Sequence, residues 1–261
     1  MTQEALPIVS VIVPVYNRAH CIARCLHSVL AQTLAAIEVI VVDDASSDAT
    51  AEVVATIRDP RIRYWRHETN RGAAAARNTA MRLARGEFIA FIDSDDYWRE
   101  DKLEKQVAAL RARGARCGLS YCWIAVVDTR EREVAQYVSE VEGKCLDAIL
   151  SENFIGSSSN VVFRRAMIEE IGLLDESLLT CEDWDWYVRI ATRSEFHCLR
   201  EKAVCYTHDL SDAVRLTNRA RVMRDGHRRM LNKHASAYRG MPRNSRRRAY
   251  LRYAEAFAEA G

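Results

Sequence analysis

The chain has 261 residues, 49% of them hydrophobic, and a formal net charge of +2. That suits one large α/β domain, or a domain with an appendage, with enough apolar residues for a sizeable core. No stretch reaches the roughly 18–20 apolar residues of a membrane span, and no basic segment followed by an apolar run opens the chain, so a secretory signal is not expected and the cytoplasm is the expected location.

Ile8 to Val15 is a β-branched run ending at Pro14 and Asn17, a buried strand and its turn. Ala19 to Ala31 carries Ile22, Leu26, Val29 and Leu30 at helical spacing. Ile37 to Val42 is a second buried strand that stops at Asp43-Asp44. Ser46-Ser47-Asp48 then offers an N-cap for a helix to about Ile57. Arg61 to Arg66 alternates as a third strand, Gly72 to Leu83 is an alanine-rich helix, and Glu87 to Ile92 is a fourth buried strand that stops at Asp93-Ser94-Asp95-Asp96. The alternation predicts a parallel, doubly wound sheet, whose ligands bind beyond the carboxyl ends of the strands. Both acidic clusters should therefore face one crevice. Later, Arg99–Arg113 reads as a helix, Gly118–Val127 as a strand, Ser157–Phe163 as a strand, Trp184–Thr192 as a helix and Phe196–Tyr206 as a strand. From about Leu216 the chain is basic and helical, broken near Gly240-Met241-Pro242.

The eight cysteines form no CxxC pair and no zinc-finger spacing, and read as reduced structural hydrophobes. Charge is divided unevenly: residues 211–261 hold 13 Arg/Lys against 4 Asp/Glu, a net +9, and residues 1–210 a net −7.

Asp93 and Asp95, two residues apart at a strand end, offer oxygen ligands to one hard cation such as Mg2+ or Mn2+; the alternative is a solvated turn capping the next helix. Tyr16, in the turn after the first strand, offers a ring for stacking, or is an ordinary turn residue. Asp43 and Asp44 could accept hydrogen bonds from a base or ribose; an acid pair at a helix entry, or the acidic pocket of a receiver domain, would look similar, although the later Asp and Lys of a receiver are missing. Asn70-Arg71-Gly72 precedes a helix N-terminus, an anion site with an adjacent cation, with Arg77-Asn78 following. Glu182-Asp183 open an aromatic helix with Trp184, Trp186 and Tyr187, where one acid could serve as general base and an aromatic as a sugar platform, or where both acids merely cap the helix.

Together, Val11-Ile12-Val13-Pro14-Val15-Tyr16-Asn17, Val41–Asp48, Asn70-Arg71-Gly72 with Ala76-Arg77-Asn78, Phe91-Ile92-Asp93-Ser94-Asp95-Asp96 and Glu182-Asp183, in this order, resemble the family 2 glycosyltransferases over about residues 8–210. The resemblance implies the GT-A fold, a Rossmann-like three-layer sandwich around a mainly parallel or mixed sheet, here with a helical C-terminal tail. It implies inverting transfer from a nucleotide-diphosphate sugar, with UDP favoured, to a hydroxyl of a saccharide or lipid-linked saccharide in cell-surface polysaccharide synthesis. Pro14, Tyr16, Asn17, Asp43, Asp44, Arg71, Arg77, Asp93 and Ser94 would bind the nucleotide sugar, with Tyr16 on the base and Asp44 as its hydrogen-bonding acid. Asp95 would ligate the divalent cation directly, with Asp93 and His208 near it. Asp183 would be the catalytic base, with Glu182 beside it, and Ser158, Ser159, Asn160 and Trp184 would contact donor sugar or acceptor. The chain has no Gln-x-x-Arg-Trp signature after Glu182-Asp183, which argues for adding a single sugar rather than building a polymer.

The expected division is a catalytic domain at 1–212 and a basic extension at 213–261. The extension could dock on anionic lipid as a peripheral membrane contact or pack on the acidic body. The rival functions are a sugar-nucleotide nucleotidyltransferase, which should open on a glycine-rich basic loop that Pro14–Asn17 replaces, and a non-catalytic nucleotide-sugar or nucleic-acid binder. Few aromatics interleave the tail's bases, so no nucleic-acid partner is expected.

Overall fold

The structure is a computed structural model describing residues 6–208 and 220–259. Four parallel strands form half of one mixed sheet, in the order β3 (Ile62–Arg66), β2 (Ile37–Asp43), β1 (Val9–Val15), β4 (Phe88–Phe91). Every residue of β1, β2 and β4 is buried, as near-continuous Val/Ile/Phe runs demand when helices cover both faces of a sheet. The register pairs Val15 with Asp43, and the Asp44 N–H donates to Val15 O at 2.8 Å. The turns after β1 and β2 therefore open side by side, and the turn after β4 lies next to them.

Beyond β4 the parallel order breaks. β8 (Val162–Arg164) lies antiparallel between β4 and β6 (Cys117–Val127), and β6 runs parallel to β9 (Glu195–Thr207). β5 (Tyr97–Trp98) pairs antiparallel with β9, and β7 (Glu133–Tyr137) with β6. Alternating side chains feed two cores. Val11 and Val13 face the core of α1 (Ile22–Leu30) and α4 (Lys102–Arg113). Ile12, Ile40 and Val42 face that of α3 (Ala73–Leu83), α5 (Leu146–Ser151) and α7 (Glu182–Ala191). The three-layer α/β expectation holds, and the sheet is mixed.

Local differences have local causes. The helix after the second acidic cluster starts at Lys102 rather than Arg99, because Tyr97 and Trp98 pair with Cys205 and Val204. The strand expected from Ser157 begins only at Val162. Before it, Ser157 Oγ accepts from Ser159 N at 3.1 Å and Asn160 Nδ2 donates to Cys122 O and Ile155 O, both at 2.8 Å, bonds that hold Ser158–Asn160 in a 3-10 turn instead of a ladder. Ser46 does not cap α2 (Thr50–Thr56); its Oγ accepts from Asn17 N at 2.9 Å, and Asp48 Oδ1 accepts from Thr50 N at 3.0 Å.

The basic tail forms α8 (Ala220–Lys233), α9 (Ala235–Gly240) and α10 (Arg243–Glu259). The expected boundary at 212/213 lies outside the described residues. These helices share the α7 core: Met230, Tyr238, Met241, Ala249 and Tyr253 are buried in it. Lys233 Nζ and His234 Nε2 meet buried Asp185 Oδ1 at 3.0 and 2.9 Å, and Arg229 Nη1 donates to Ser177 O at 3.0 Å. No helix of the described residues is long and apolar enough to cross a membrane.

Candidate functional site

A cleft of about 690 Å³ opens at the carboxyl ends of β1, β2 and β4. Pro14, Tyr16, Asp44 and Arg71 line it, as do Arg77, Asp93, Ser94, Asp95 and Ser158, and then Glu182, Asp183 and Trp184. The shared crevice expected from the two acidic strand ends is present, and it includes the Glu182-Asp183 pair.

Asn17, Asp43, Ser159, Asn160 and His208 do not line the cleft. The first four build its walls from behind. Asn17 Oδ1 accepts from Ser47 N at 2.8 Å, and Asp43 accepts from Ser46 N at 2.7 Å and Tyr64 OH at 2.6 Å. Ser159 Oγ donates to buried Asp96 and accepts from Asp93 N, and Asn160 is held by the two carbonyls above. His208 is exposed just past β9, its N–H donating to Val127 O, and the residue before it, Thr207, donates through Oγ1 to the Asp95 carbonyl. Asp44 lines the cleft, but its carboxylate accepts from Arg71 N, Gly72 N and His67 Nδ1 at 2.6–3.0 Å. Those contacts shape the Arg71-Gly72 loop, where Gly72 takes a φ of 89° that favours glycine, and three donors leave a carboxylate with capacity for one more.

Arg77 is the electrostatic centre. It is 5% exposed. Its guanidinium donates to Asp93 Oδ1 at 2.6 Å, Glu182 Oε1 at 2.8 Å and Ser158 Oγ at 2.9 Å, tying the β4 acids to the α7 pair. Even so, burial, then the charge of Asp183, raises the carboxyl of Glu182, and burial raises that of Asp183. Asp96 is raised further by burial and by Asp95 and Asp93, while its oxygens accept from Thr207 N and Ser159 Oγ. Cys181 precedes the pair at φ 64°, a left-handed conformation held by the packing around it that turns the chain into α7. The Asp183 carboxylate accepts from Trp184 N at 2.7 Å, and Trp184 Nε1 donates to Ile149 O at 2.6 Å.

Among the described residues no group of three or more His, Cys, Asp or Glu stands ready to hold a metal. Asp93 and Asp95 are the pair whose hard oxygen donors, both in the cleft, suit Mg2+ or Mn2+ completed by ligand oxygens and water. The Asp95 backbone is fixed from behind by Arg24 Nη2 at 2.8 Å and Thr207 Oγ1 at 2.6 Å, both donating to its carbonyl.

Sequence reasoning missed one wall. Met223 and His227 of α8 and Tyr253 of α10 line the cleft. Helical periodicity was visible there, but nothing local encodes where a helix docks.

Comparison with known proteins adds a family. A family model described as Glycosyl transferase family 2 matches residues 10–172. Succinoglycan biosynthesis protein ExoO of Rhizobium meliloti is 39% identical over 161 residues, covering 62% of this chain and 45% of that protein. UDP-Glc:alpha-D-GlcNAc-diphosphoundecaprenol beta-1,3-glucosyltransferase WfgD of Escherichia coli is 48% identical over 103 residues, 40% of this chain and 41% of that one. The chain spans about half the length of the curated relatives it matches. Mannosyltransferase PcManGT from Pyrobaculum calidifontis, solved with GDP-Man and Mn2+, shares the fold at a TM-score of 0.68 with 21% identity, covering 98% of this chain and 74% of that one.

Proposed function

The chain belongs to glycosyl transferase family 2 and has the GT-A fold, and from that premise we propose that it moves one sugar from a nucleotide-diphosphate donor, a UDP-sugar, to a hydroxyl of a saccharide or lipid-linked saccharide, with inversion. The observation that carries the reading is that the strand-end acids and the Glu182-Asp183 pair line one cleft, joined through Arg77. WfgD, a relative whose name specifies UDP-Glc and a diphosphoundecaprenol-linked sugar, supports the donor and acceptor classes. ExoO supports a role in cell-surface polysaccharide synthesis.

In this reading Pro14 and Tyr16 pack on the base, Asn17 and Asp43 brace that turn, and Arg71, held by the Asp44-organised loop, meets the ribose or diphosphate. Asp95 with Asp93 would hold a divalent cation, which when bound neutralises diphosphate charge. Ser94 and Ser158 border the sugar. Asp183 takes the acceptor proton as the acceptor oxygen attacks the anomeric carbon opposite the phosphate. Burial raises its carboxyl, which makes it a stronger proton acceptor than an ordinary aspartate. Glu182, paired to Arg77, positions that residue against Asp93 and keeps the acids from separating. Fixed alignment of donor and acceptor supplies much of the rate.

The extension is proposed to contact the membrane peripherally on the cytoplasmic side. α10 exposes Arg243, Arg247 and Arg248 beside exposed Tyr250 and Leu251, a basic and apolar face that suits an anionic bilayer. Absence of co-sedimentation with anionic vesicles at low salt would end that part.

A thermal-shift screen of nucleotide sugars with Mn2+ tests the main reading. A UDP-sugar should raise Tm in a metal-dependent way. No shift with any nucleotide sugar at millimolar concentration would refute it.

A further inference from the structure

We propose that His227 is a specificity determinant for the acceptor, its imidazole Nδ1 hydrogen-bonding a hydroxyl of the acceptor sugar beside Asp183. The inference rests on the glycosyl-transfer reading and goes beyond it, since α8 lies outside the span matched by the family model.

Three observations converge on this residue. First, α8 is pinned to the loop that leads into the acid pair. Thr180 Oγ1 donates to Val222 O at 3.1 Å. Gly226 sits so close that a Cβ there would overlap Thr180 Oγ1 and stand 3.0 Å from Thr180 O and 3.1 Å from Cys181 Sγ. Only glycine lets the helix approach, and the approach puts the next residue, His227, at the cleft.

Second, the ring is clasped on two sides. It meets Trp184 edge-on at 5.7 Å and Tyr253 edge-on at 5.8 Å, and Trp184 and Tyr253 stack at 5.5 Å with planes 5° apart. Trp184 is itself fixed through Ile149 O and is the residue after Asp183. The imidazole is thus held rigidly one side chain away from the proposed base, among aromatic faces of the kind sugars pack on.

Third, His227 Nδ1 is buried and has no hydrogen-bond partner. A buried polar atom left unpaired costs free energy that the fold does not recover. An acceptor hydroxyl entering the cleft would supply the missing partner. Burial also lowers the imidazole's proton affinity, which favours the neutral ring, with one donor and one acceptor nitrogen.

The experiment compares His227→Phe and His227→Asn with the wild type. Phe keeps the ring packing and deletes the nitrogen; Asn restores a polar group near the Nδ1 position. The probes are a panel of p-nitrophenyl glycosides and an α-D-GlcNAc diphosphate bearing a short alkyl chain, with the UDP-sugar that the wild type uses best. Thermal melting confirms that each variant is folded. His227→Phe should raise the acceptor KM by about tenfold or more while the donor KM stays within about twofold, and His227→Asn should recover most of the loss. An acceptor KM unchanged in a folded His227→Phe, or a donor KM that rises in step with it, would overturn the inference while leaving the transferase reading intact. Wild-type protein that transfers sugar to no member of the panel and cleaves no nucleotide sugar would overturn both.

Discussion

Replacing Arg77 with methionine is the most informative single perturbation. Methionine keeps most of the apolar stem but removes the cation that faces Asp93, Glu182 and, through space, Asp183. The two ion pairs stand at 2.6 and 2.8 Å around a guanidinium only 6% exposed, so this is a buried network losing its central charge. Breaking such a network by removing one partner costs about 3–5 kcal/mol. At roughly 2 °C per kcal/mol for a chain of this length, Tm should fall by about 6–10 °C at pH 8. The loss should depend on pH with a definite sign. Burial already raises the Glu182 and Asp183 carboxyls above their ordinary range. In the window between the ordinary and the raised values the folded state holds more protons than the unfolded chain, so stability falls as pH rises through it. Without Arg77 the carboxyls rise further, and proton uptake relieves the variant more than the wild type. The deficit should therefore shrink by pH 5. Circular dichroism melts at pH 8 and pH 5 measure it. A drop under about 2 °C at pH 8, or the same deficit at both pH values, would refute the account of Arg77 as the cation that makes the acids tolerable.

Asp183→Asn should lower turnover by about 10²–10⁴ while donor affinity survives, read from steady-state kinetics and donor calorimetry; near-normal turnover would remove Asp183 from the role of base. Gly226→Ala should overpack the α8 contact with Thr180 and Cys181, costing about 1–3 kcal/mol and lowering Tm; an unchanged Tm would mean that α8 does not sit this close. Lys102 is fully buried over the Trp98 ring at 4.0 Å with no hydrogen bond, and burial lowers it to about 8. The unfolded chain therefore holds more protons between pH 8 and 10.5, and stability rises with pH across that window. Lys102→Met should stabilise the protein by about 1–3 kcal/mol at pH 7, with the gain disappearing above pH 10.5; a destabilised variant at pH 7 would show that the cation–ring contact outweighs desolvation.

The first half of the fold was legible because buried parallel strands announce themselves as unbroken β-branched runs, and Asp43-Asp44 and Asp93–Asp96 end two of them. The register that puts Val15 beside Asp43 then gathers those ends without further information. The second half resisted because its elements are short or mixed. α5 and the helix at Ala166–Ile171 have six residues each, too few to display a period, and in Ser157–Asn160 the Ser159 N–H goes to a side chain, Ser157 Oγ, instead of a ladder. Residue type identified Asp95, Arg77 and Asp183 as cleft residues, but it could not show that Asp44, also in the cleft, braces the Arg71-Gly72 loop with its carboxylate. Nor could it find His227. A basic tail reads as a surface feature until Gly226, Lys233 and His234 are seen to fasten it against α7 and the turn before it.

The central claim is that strand-end acids and the α7 pair grip one donor together in the cleft. Crystals grown with Mn2+ and a UDP-sugar, with diffraction measured for manganese anomalous scattering, test it most directly. The account predicts a manganese peak against Asp93 and Asp95, the uracil on Tyr16, and the sugar reaching toward Asp183. Nucleotide and metal bound on a surface outside the cleft, with Asp95 and Asp183 both untouched, would contradict it.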